Sequence, residues 1–381
     1  MHGQVKLQQG KMMILGAGFT ARALIPHLLA RGIAVTATSR SRAPDLEALG
    51  VTVLKFDGAP TDTLKKEISN ADYILSSIGP DTDGDPVIAS GLLHTASPEW
   101  AGYLSATSVY GDRSGRFAFE DEPPTPVTKR GRARADAEIA WIETELPVHI
   151  FRLAGIYGPG RNPFQKTLNG ESRAVIKPGH VVNRIHVDDI CAAVLASMDG
   201  PNPQRIYNIA DDAPAPPQDV LDYAADLLGA ARPPRVSPDD PKVSRMARTF
   251  YAETKRVDTS RAKRELGWTP QYKNYREGLT QVFTAENRAP VGVTLTGYID
   301  VPQADLNAVQ TALPEHIRAT QDEPGCITFR VTQDADLETR FHVYERFEDK
   351  AAFKAHQSRM AGTAWAKASK NAARHYSVFG A

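Results

Sequence analysis

The chain has 381 residues, 41% hydrophobic and 24% charged, with 45 basic and 45 acidic side chains that leave a formal net charge of zero. Nothing in that balance supports binding to nucleic acid or an anionic membrane surface, so small molecules are the expected partners, and the length accommodates a large core and a second domain. The two cysteines, Cys191 and Cys326, are far apart and no Cys or His falls at metal-ligand spacing, so neither a disulfide framework nor a zinc site is indicated and a reducing compartment fits.

Met1 to Lys11 is polar without an apolar core, and no run approaches membrane-spanning length. Neither a signal peptide nor a transmembrane helix is expected, and the cytoplasm is the default location. The first strand begins at about Met12, so the leading residues read as a tail, or Met12 or Met13 as the start. The apolar run Met13-Ile14-Leu15 then meets Gly16-Ala17-Gly18-Phe19-Thr20-Ala21, the shape of a dinucleotide-binding strand, turn and helix. Gly16 permits the turn, Gly18 lets the backbone approach a pyrophosphate, and Ala21 keeps the helix close to its strand while its N-terminus faces the anion.

Phe19 to Arg31 carries apolar residues at helical spacing and stops at Gly32, with Pro26 a misfit that should remove a hydrogen bond and kink the helix. Ile33 to Thr38 is a strand ending in Ser39-Arg40-Ser41-Arg42, roughly twenty residues after the glycines, where an acidic residue would hold the ribose of NAD. Arg40 and Arg42 there suit a 2′-phosphate instead, so NADP is expected over NAD. Val51 to Phe56, closed by Asp57, and Asp72 to Ser77, closed by Ile78-Gly79-Pro80, read as further strands. Strand and helix alternate, which predicts a doubly wound parallel sheet of Rossmann type. The strand ends then share one edge, with Asp57 placed for the adenine amino group and Ser76, Ser77 and Gly79 for the nicotinamide half.

Three later segments, Tyr103 to Gly111, Phe151 to Gly160 and Arg184 to Ile190, resemble signature segments of extended short-chain dehydrogenase/reductases of the epimerase/dehydratase type. With the glycine turn and Asp258 to Trp268, the resemblance covers about residues 12 to 285, within an NAD(P)-binding domain of 12–288. It implies a small substrate lobe built from segments of about 155–182 and 208–285, and Pro214 to Pro217 and Pro233 to Pro238 suit the loops of that lobe. The family's Tyr and Lys sit one helical turn apart, the phenol transferring a proton while the ammonium lowers its pKa and holds the ribose. On that pattern Arg130 falls where the Tyr belongs and Arg134 where the Lys belongs. A guanidinium stays protonated and cannot replace a titrating phenol, though Arg134 can still hold the ribose. The family's Ser or Thr falls on Ala106, with Thr107 and Ser108 as displaced substitutes. The resemblance therefore points to an atypical branch, with Tyr110 and His186 as the nearest proton-transfer candidates and Lys129, Arg130, Arg132 and Arg134 as a clamp for an anionic substrate or cofactor phosphate.

After Glu286-Asn287-Arg288-Ala289-Pro290 the order of elements is strand (Val291 to Val301), helix (Gln303 to Thr320), strands (Gly325 to Thr332, Thr339 to Arg346), helix (Asp349 to Ser369) and strand (Arg374 to Phe379). That β-α-β-β-α-β order defines an α+β ferredoxin-like unit over 291–381. Glu323-Pro324-Gly325-Cys326, Phe341 to Phe347 and Ala351 to His356 resemble the antibiotic biosynthesis monooxygenase superfamily. The resemblance implies homodimers formed through the sheets, a cleft between sheet and helices, and Glu345 and His356 on matching positions, the His able to deprotonate a phenol and the carboxylate to orient it. The expectation is an NADP-dependent oxidoreductase of a small organic substrate fused to a monooxygenase-like domain. The alternative is a non-catalytic NADP-binding redox sensor with a dimerisation domain.

Overall fold

The computed structural model describes residues 10–81, 83–243, 248 and 250–381; residues 1–9, most of the predicted leading tail, lie outside it. The chain divides into two compact units, Met1–Arg161, Lys177–Pro216 and Ser237–Gly278 in one, Asn162–Ile176, Pro217–Val236 and Leu279–Ala381 in the other. Among the described residues, no helix is long and apolar enough to cross a membrane.

The first unit is built on strands β1 (Gly10–Leu15), β2 (Ile33–Ser39), β3 (Thr52–Lys55), β4 (Tyr73–Ser76), β5 (Trp100–Ala106), β6 (Val148–Leu153) and β7 (Arg205–Ile209). They form one parallel sheet in the order β3-β2-β1-β4-β5-β6-β7. β1 shows why it lies central. Met12 and Ile14 pack into a core on one face with Leu24, Ile25 and Leu28 of helix α1 (Phe19–Ala30), while Met13 and Leu15 pack into a second core with Ile74 and Trp141. A strand apolar on both faces is stable only between two helical layers. The reversal of strand order between β1 and β4 opens a crevice at their carboxyl ends, where the glycine turn lies.

Pro26 is inside α1, as the sequence required, and it is exposed. Its missing N–H removes one helical hydrogen bond on the solvent face, while the opposite face keeps its apolar contacts. Helix α2 (Lys129–Ile142) is attached to the sheet through a buried ion pair, Glu138 with Arg152 of β6, their side chains 3% and 2% exposed. Arg152 donates Nη2 at 2.7 Å and Nε at 3.1 Å to Glu138.

In the second unit, helix α3 (Pro217–Leu228) precedes strands β8 (Val293–Asp300), β9 (Cys326–Gln333), β10 (Arg340–Phe347) and β11 (Ala373–Phe379). These four form an antiparallel sheet ordered β9-β10-β8-β11. Val293, Leu295, Phe329, Phe341, Val343 and Phe347 bury one face against helix α4 (Leu306–Gln321), helix α5 (Lys350–Met360) and helix α6 (Ala364–Ala368). The single helix expected over Asp349 to Ser369 is thus two helices. Gly362, at φ 85°, takes the left-handed conformation between them. The sheet's other face alternates Thr, Tyr, His and Arg, and the segment after α3 lies on it: Arg346 Nη2 donates to Gly229 O at 2.9 Å, and the Arg232 guanidinium sits 4.1 Å over the Tyr344 ring.

Breaking the buried pair gives a direct test of what holds α2. Arg152→Met leaves the Glu138 carboxylate uncompensated in the core and is expected to cost about 3–5 kcal/mol in denaturant unfolding. Arg152→Met with Glu138→Met should recover most of that loss, and an unchanged midpoint in the single variant would contradict the assignment.

Candidate functional site

The glycine turn is held by backbone contacts. Gly16 has φ 94°, and a Cβ there would meet Ile78 Cγ1 at 2.7 Å. Its N–H donates to Thr38 Oγ1 at 2.8 Å, and the Ala17 N–H to Thr38 O at 2.8 Å, which ties the turn to the end of β2. Gly18 differs: a Cβ would meet nothing nearer than Ser77 Oγ at 3.7 Å. Gly18 is the N-cap of α1, no side chain caps the helix and its first turn carries no acidic residue. The N–H groups of Phe19, Thr20 and Ala21 therefore lack a helical acceptor, behind a surface bare of side chain, and that donor set fits a pyrophosphate.

Around this turn, Ser39 is half-buried and accepts from the Ser41 N–H at 3.4 Å, while Arg40 and Arg42 stand exposed at the end of β2. Asp57 is exposed and ion-paired to Lys55 at 2.7 Å, a hydrogen-bonded contact that holds its carboxyl below the usual range, so an adenine amino group would compete with a lysine for it. Ser76 is fully buried and its Oγ has no hydrogen-bond partner. Two cations absent from the sequence expectation join the glycine turn. Arg22 donates Nε to Ala17 O at 3.0 Å and pairs with Asp45, and the Arg161 guanidinium lies 5.6 Å over the Phe19 ring. Arg22 follows Gly18 by four residues, one helical turn, which is the signal that would have found it.

Helix α2 separates its arginines. Arg130 and Arg132 are exposed, whereas Arg134 turns inward, its Nη1 donating to Leu104 O at 2.7 Å and Tyr103 Oη at 3.2 Å. Its Nη2 lies 2.9 Å from where a Cβ on Gly79 would stand. The position expected to hold a ribose is thus at the end of β4, beside Gly79.

Tyr110 and His186 lie elsewhere. Tyr110 is fully buried, donates to Asn208 Oδ1 at 2.8 Å and accepts from Arg152 Nη1 at 2.9 Å; burial pushes its phenol up to about 12. It belongs to a closed network with Ser105, whose Oγ donates to Glu138 at 2.5 Å. His186, also fully buried, is the N-cap of the helix Val187–Asp199, its Nδ1 accepting from the Asp188 N–H at 3.3 Å, and its ring packs on Tyr157 and Tyr272. These contacts orient strands and a helix start.

In the second unit the structure brings Glu345 and His356 together: His356 Nε2 is 3.8 Å from Glu345 Oε2, and its Nδ1 is 2.9 Å from Glu323 Oε2. His316, not singled out in the sequence, stacks on Trp365 with centroids 4.7 Å apart and is 6.2 Å from the His356 ring. Burial, aided by the nearby Glu323 charge, pushes Glu345 up to about 8, while burial holds His356 below its ordinary range. Distance alone reads as a salt bridge, but both shifts favour the neutral forms, an uncharged acid beside an uncharged base. Among the described residues no group of His, Cys, Asp and Glu could hold a metal ion.

A family model described as NAD(P)H-binding matches residues 16–198, and one described as antibiotic biosynthesis monooxygenase matches residues 292–368. Among curated proteins, the chain is similar to Protein YeeZ of Escherichia coli (strain K12), 31% identical over 69% of this chain and 96% of that one. It is also similar to a 3-diazoavenalumate denitrifying reductase of a Streptomyces species, 28% identical over 42% of this chain and 55% of that one. A solved structure of a functionally unknown conserved protein from Silicibacter pomeroyi superposes with a TM-score of 0.69 at 43% identity, covering 72% of this chain and 99% of the other. The dTDP-glucose 4,6-dehydratase of Bacillus anthracis, solved with NAD, gives 0.59 at 18% identity, over 72% and 97% of the two chains, a likeness of fold.

The raised Glu345 pKa carries a pH prediction. Above its ordinary value of 4.5 the unfolded carboxyl ionises while the folded one keeps its proton until about pH 8, so this group stabilises fully below 4.5 and loses that contribution as pH rises through 8. His356 and His316, both depressed from 6.5, act with the opposite sign only below that value. Between about pH 6.5 and 8 the melting temperature of the wild type should therefore fall relative to that of Glu345→Gln. Parallel profiles would show that Glu345 is ionised in the folded protein.

Proposed function

Because the chain belongs to the NAD(P)H-binding family, with epimerase/dehydratase-like structural neighbours, and carries an antibiotic biosynthesis monooxygenase domain, we propose that it is an NADP-preferring oxidoreductase of a small organic substrate. The observation that carries this reading is the uncapped start of α1 behind the bare surface of Gly18. In this reading Gly16, Gly18, Phe19, Thr20 and Ala21 hold the pyrophosphate, and Ser39 and Arg40 the 2′-phosphate. Ser76, Ser77 and Gly79 line the nicotinamide half, with Arg134 beside them. The nicotinamide supplies hydride transfer when bound.

The missing acid narrows the substrate. A ketone that takes a hydride becomes an alkoxide whose conjugate acid is about as weak as water, and so needs an acid in the site. A quinone becomes a hydroquinone monoanion, a phenolate whose acid titrates near about 10 as tyrosine does, and solvent can protonate it. The guanidinium of Arg134 cannot act as the acid but can stabilise a phenolate. A quinone or similarly electron-poor aromatic therefore suits this site better than a sugar or a simple ketone, and a reductase among the relatives agrees with that direction.

For the C-terminal domain, the reading is that a phenol such as this product gives its proton to Nε2 of His356 while Glu345 orients it, with dioxygen as the oxidant. We further infer a cytoplasmic homodimer, supported by β11, an edge strand exposed along almost its whole length. The lack of the family's Tyr and Lys on α2, where Arg130 and Arg134 stand instead, also favours a second reading, a non-catalytic sensor of NADP.

Titration with NADP and NADPH, followed by NADPH oxidation against a panel of quinones and carbonyls, separates the two. The oxidoreductase reading expects quinone turnover; tight nucleotide binding with no turnover on any acceptor would overturn it and support the sensor. Arg40→Asp should weaken NADPH by about tenfold or more and NADH much less, since a charged phosphate partner becomes repulsive; equal losses would refute the 2′-phosphate assignment. Gly18→Val should abolish both nucleotides with little change in melting temperature, because Gly18 has an ordinary φ of −80° and open space in front of it.

A further inference from the structure

A second anion site is built into the C-terminal unit, on the face of its sheet away from Glu345 and His356. A cavity of about 580 Å³ lies between the polar face of β8, β9 and β10 and the segment 231–235. Four arginines line it, Arg232, Arg235, Arg330 and Arg346, and no carboxylate does.

The four differ in how they are compensated. Arg232 makes a bidentate contact with Asp226, at 2.9 and 2.7 Å, and Arg235 one with Asp222, at 2.9 and 2.5 Å. Those two guanidinia are neutralised and form a rigid wall, with Arg232 also donating to Thr296 Oγ1 at 3.2 Å. Among the described residues, Arg346 and Arg330 have no carboxylate partner. Arg346 is 9% exposed; among the described residues its side chain hydrogen-bonds Gly229 O, and its Nε is buried without a partner. Arg330 is exposed and makes no hydrogen bond or ion pair among the described residues. Between them in the same lining, the Tyr344 hydroxyl is buried and also unpartnered, its ring fixed beneath Arg232. The remaining acid nearby, Asp334, is engaged with His342 at 2.7 Å.

A buried guanidinium without a counter-charge is costly, and a buried phenol and an Nε–H left without acceptors add to that cost. A ligand that brings oxygens to all three removes it. The geometry points to a binding site for a small anion, a carboxylate or phosphate group held by Arg346 Nε, the Tyr344 hydroxyl and Arg330, in a cavity within the size range of small-molecule sites. The attached organic part would lie against Thr296, Thr328 and the Arg232–Tyr344 stack. This inference does not depend on the nucleotide reading of the first unit.

The test must exclude the other anion site, so it is done in the Gly18→Val background. Inorganic phosphate and benzoate are titrated by calorimetry, with melting temperature as a second readout. Saturable binding of at least one probe at one equivalent is expected, weakened at least about tenfold by Arg330→Ser and by Arg346→Gln. Because Arg330 is exposed and unpartnered, Arg330→Ser should melt as the parent does, which keeps the test valid if Arg346→Gln fails to fold. Phosphate binding alone assigns a phosphate ester, and benzoate binding alone a carboxylate. Absence of saturable binding, or binding unchanged in Arg330→Ser, overturns the site. So does a concentration-dependent dimer that Arg330→Ser dissociates without any probe binding, which would make this face an interface between copies.

Discussion

The buried pair of Glu138 and Arg152 fixes what helix α2 can present to the crevice. Each ion alone would be expensive to dehydrate, so the two must stay in register, and register on an α-helix sets the direction of every other side chain. With Glu138 pointing into the sheet, Arg134, one turn earlier, points to the carboxyl ends of β4 and β5, and Arg130 is left outside. The same pair recruits Ser105 from β5 and, through Arg152, Tyr110 and Asn208, so one charge network joins β5, α2, β6 and β7. Tyr110 therefore has its hydroxyl committed on both donor and acceptor sides, and its raised pKa follows from the burial that the network requires. The helix that family resemblance marks as catalytic is here positioned by charge and carries charge.

Much of the fold was legible because apolar periodicity and punctuation agree. β1 reads as a two-faced apolar run, and the glycine turn and Gly32 bracket α1. The β-α-β-β-α-β order after Pro290 likewise needed only alternation and helical spacing. Where the reading departed, a local physical cause is visible. The helix expected over Asp349 to Ser369 is interrupted at Gly362, because a left-handed residue ends one helix before Thr363 caps the next. The lobe segments 162–176 and 217–236 group with the C-terminal unit through contacts that pattern does not encode, such as Arg346 to Gly229 and Arg232 over Tyr344.

The site was less legible than the fold. Glycines and strand ends announce a nucleotide crevice because backbone geometry demands them at those places. Arg161 and His316 gave no such notice, since a lone arginine or a histidine among aromatics is ordinary in sequence and acquires meaning only from its neighbours, whereas Arg22 was marked only by its spacing from Gly18. The converse holds for His186: its motif is prominent, yet its ring nitrogen caps a helix and its faces pack on two tyrosines. A conspicuous histidine can serve a helix start as readily as a reaction.

The two units pose opposite electrostatic problems. The crevice of the first unit gathers fixed positive charge, in α1's N-terminus and the guanidinia near it, which suits an anionic cofactor. The Glu345–His356 pair is nearly dry, and drying pushes a carboxylic acid and an imidazole towards their neutral forms. Hydride chemistry with a weakly basic product needs only the first kind of site, and oxidation of a phenol needs the second. In the proposed reading, one unit tolerates the absence of the family's acid and the other supplies a proton acceptor, so the product of the former is the class of substrate proposed for the latter.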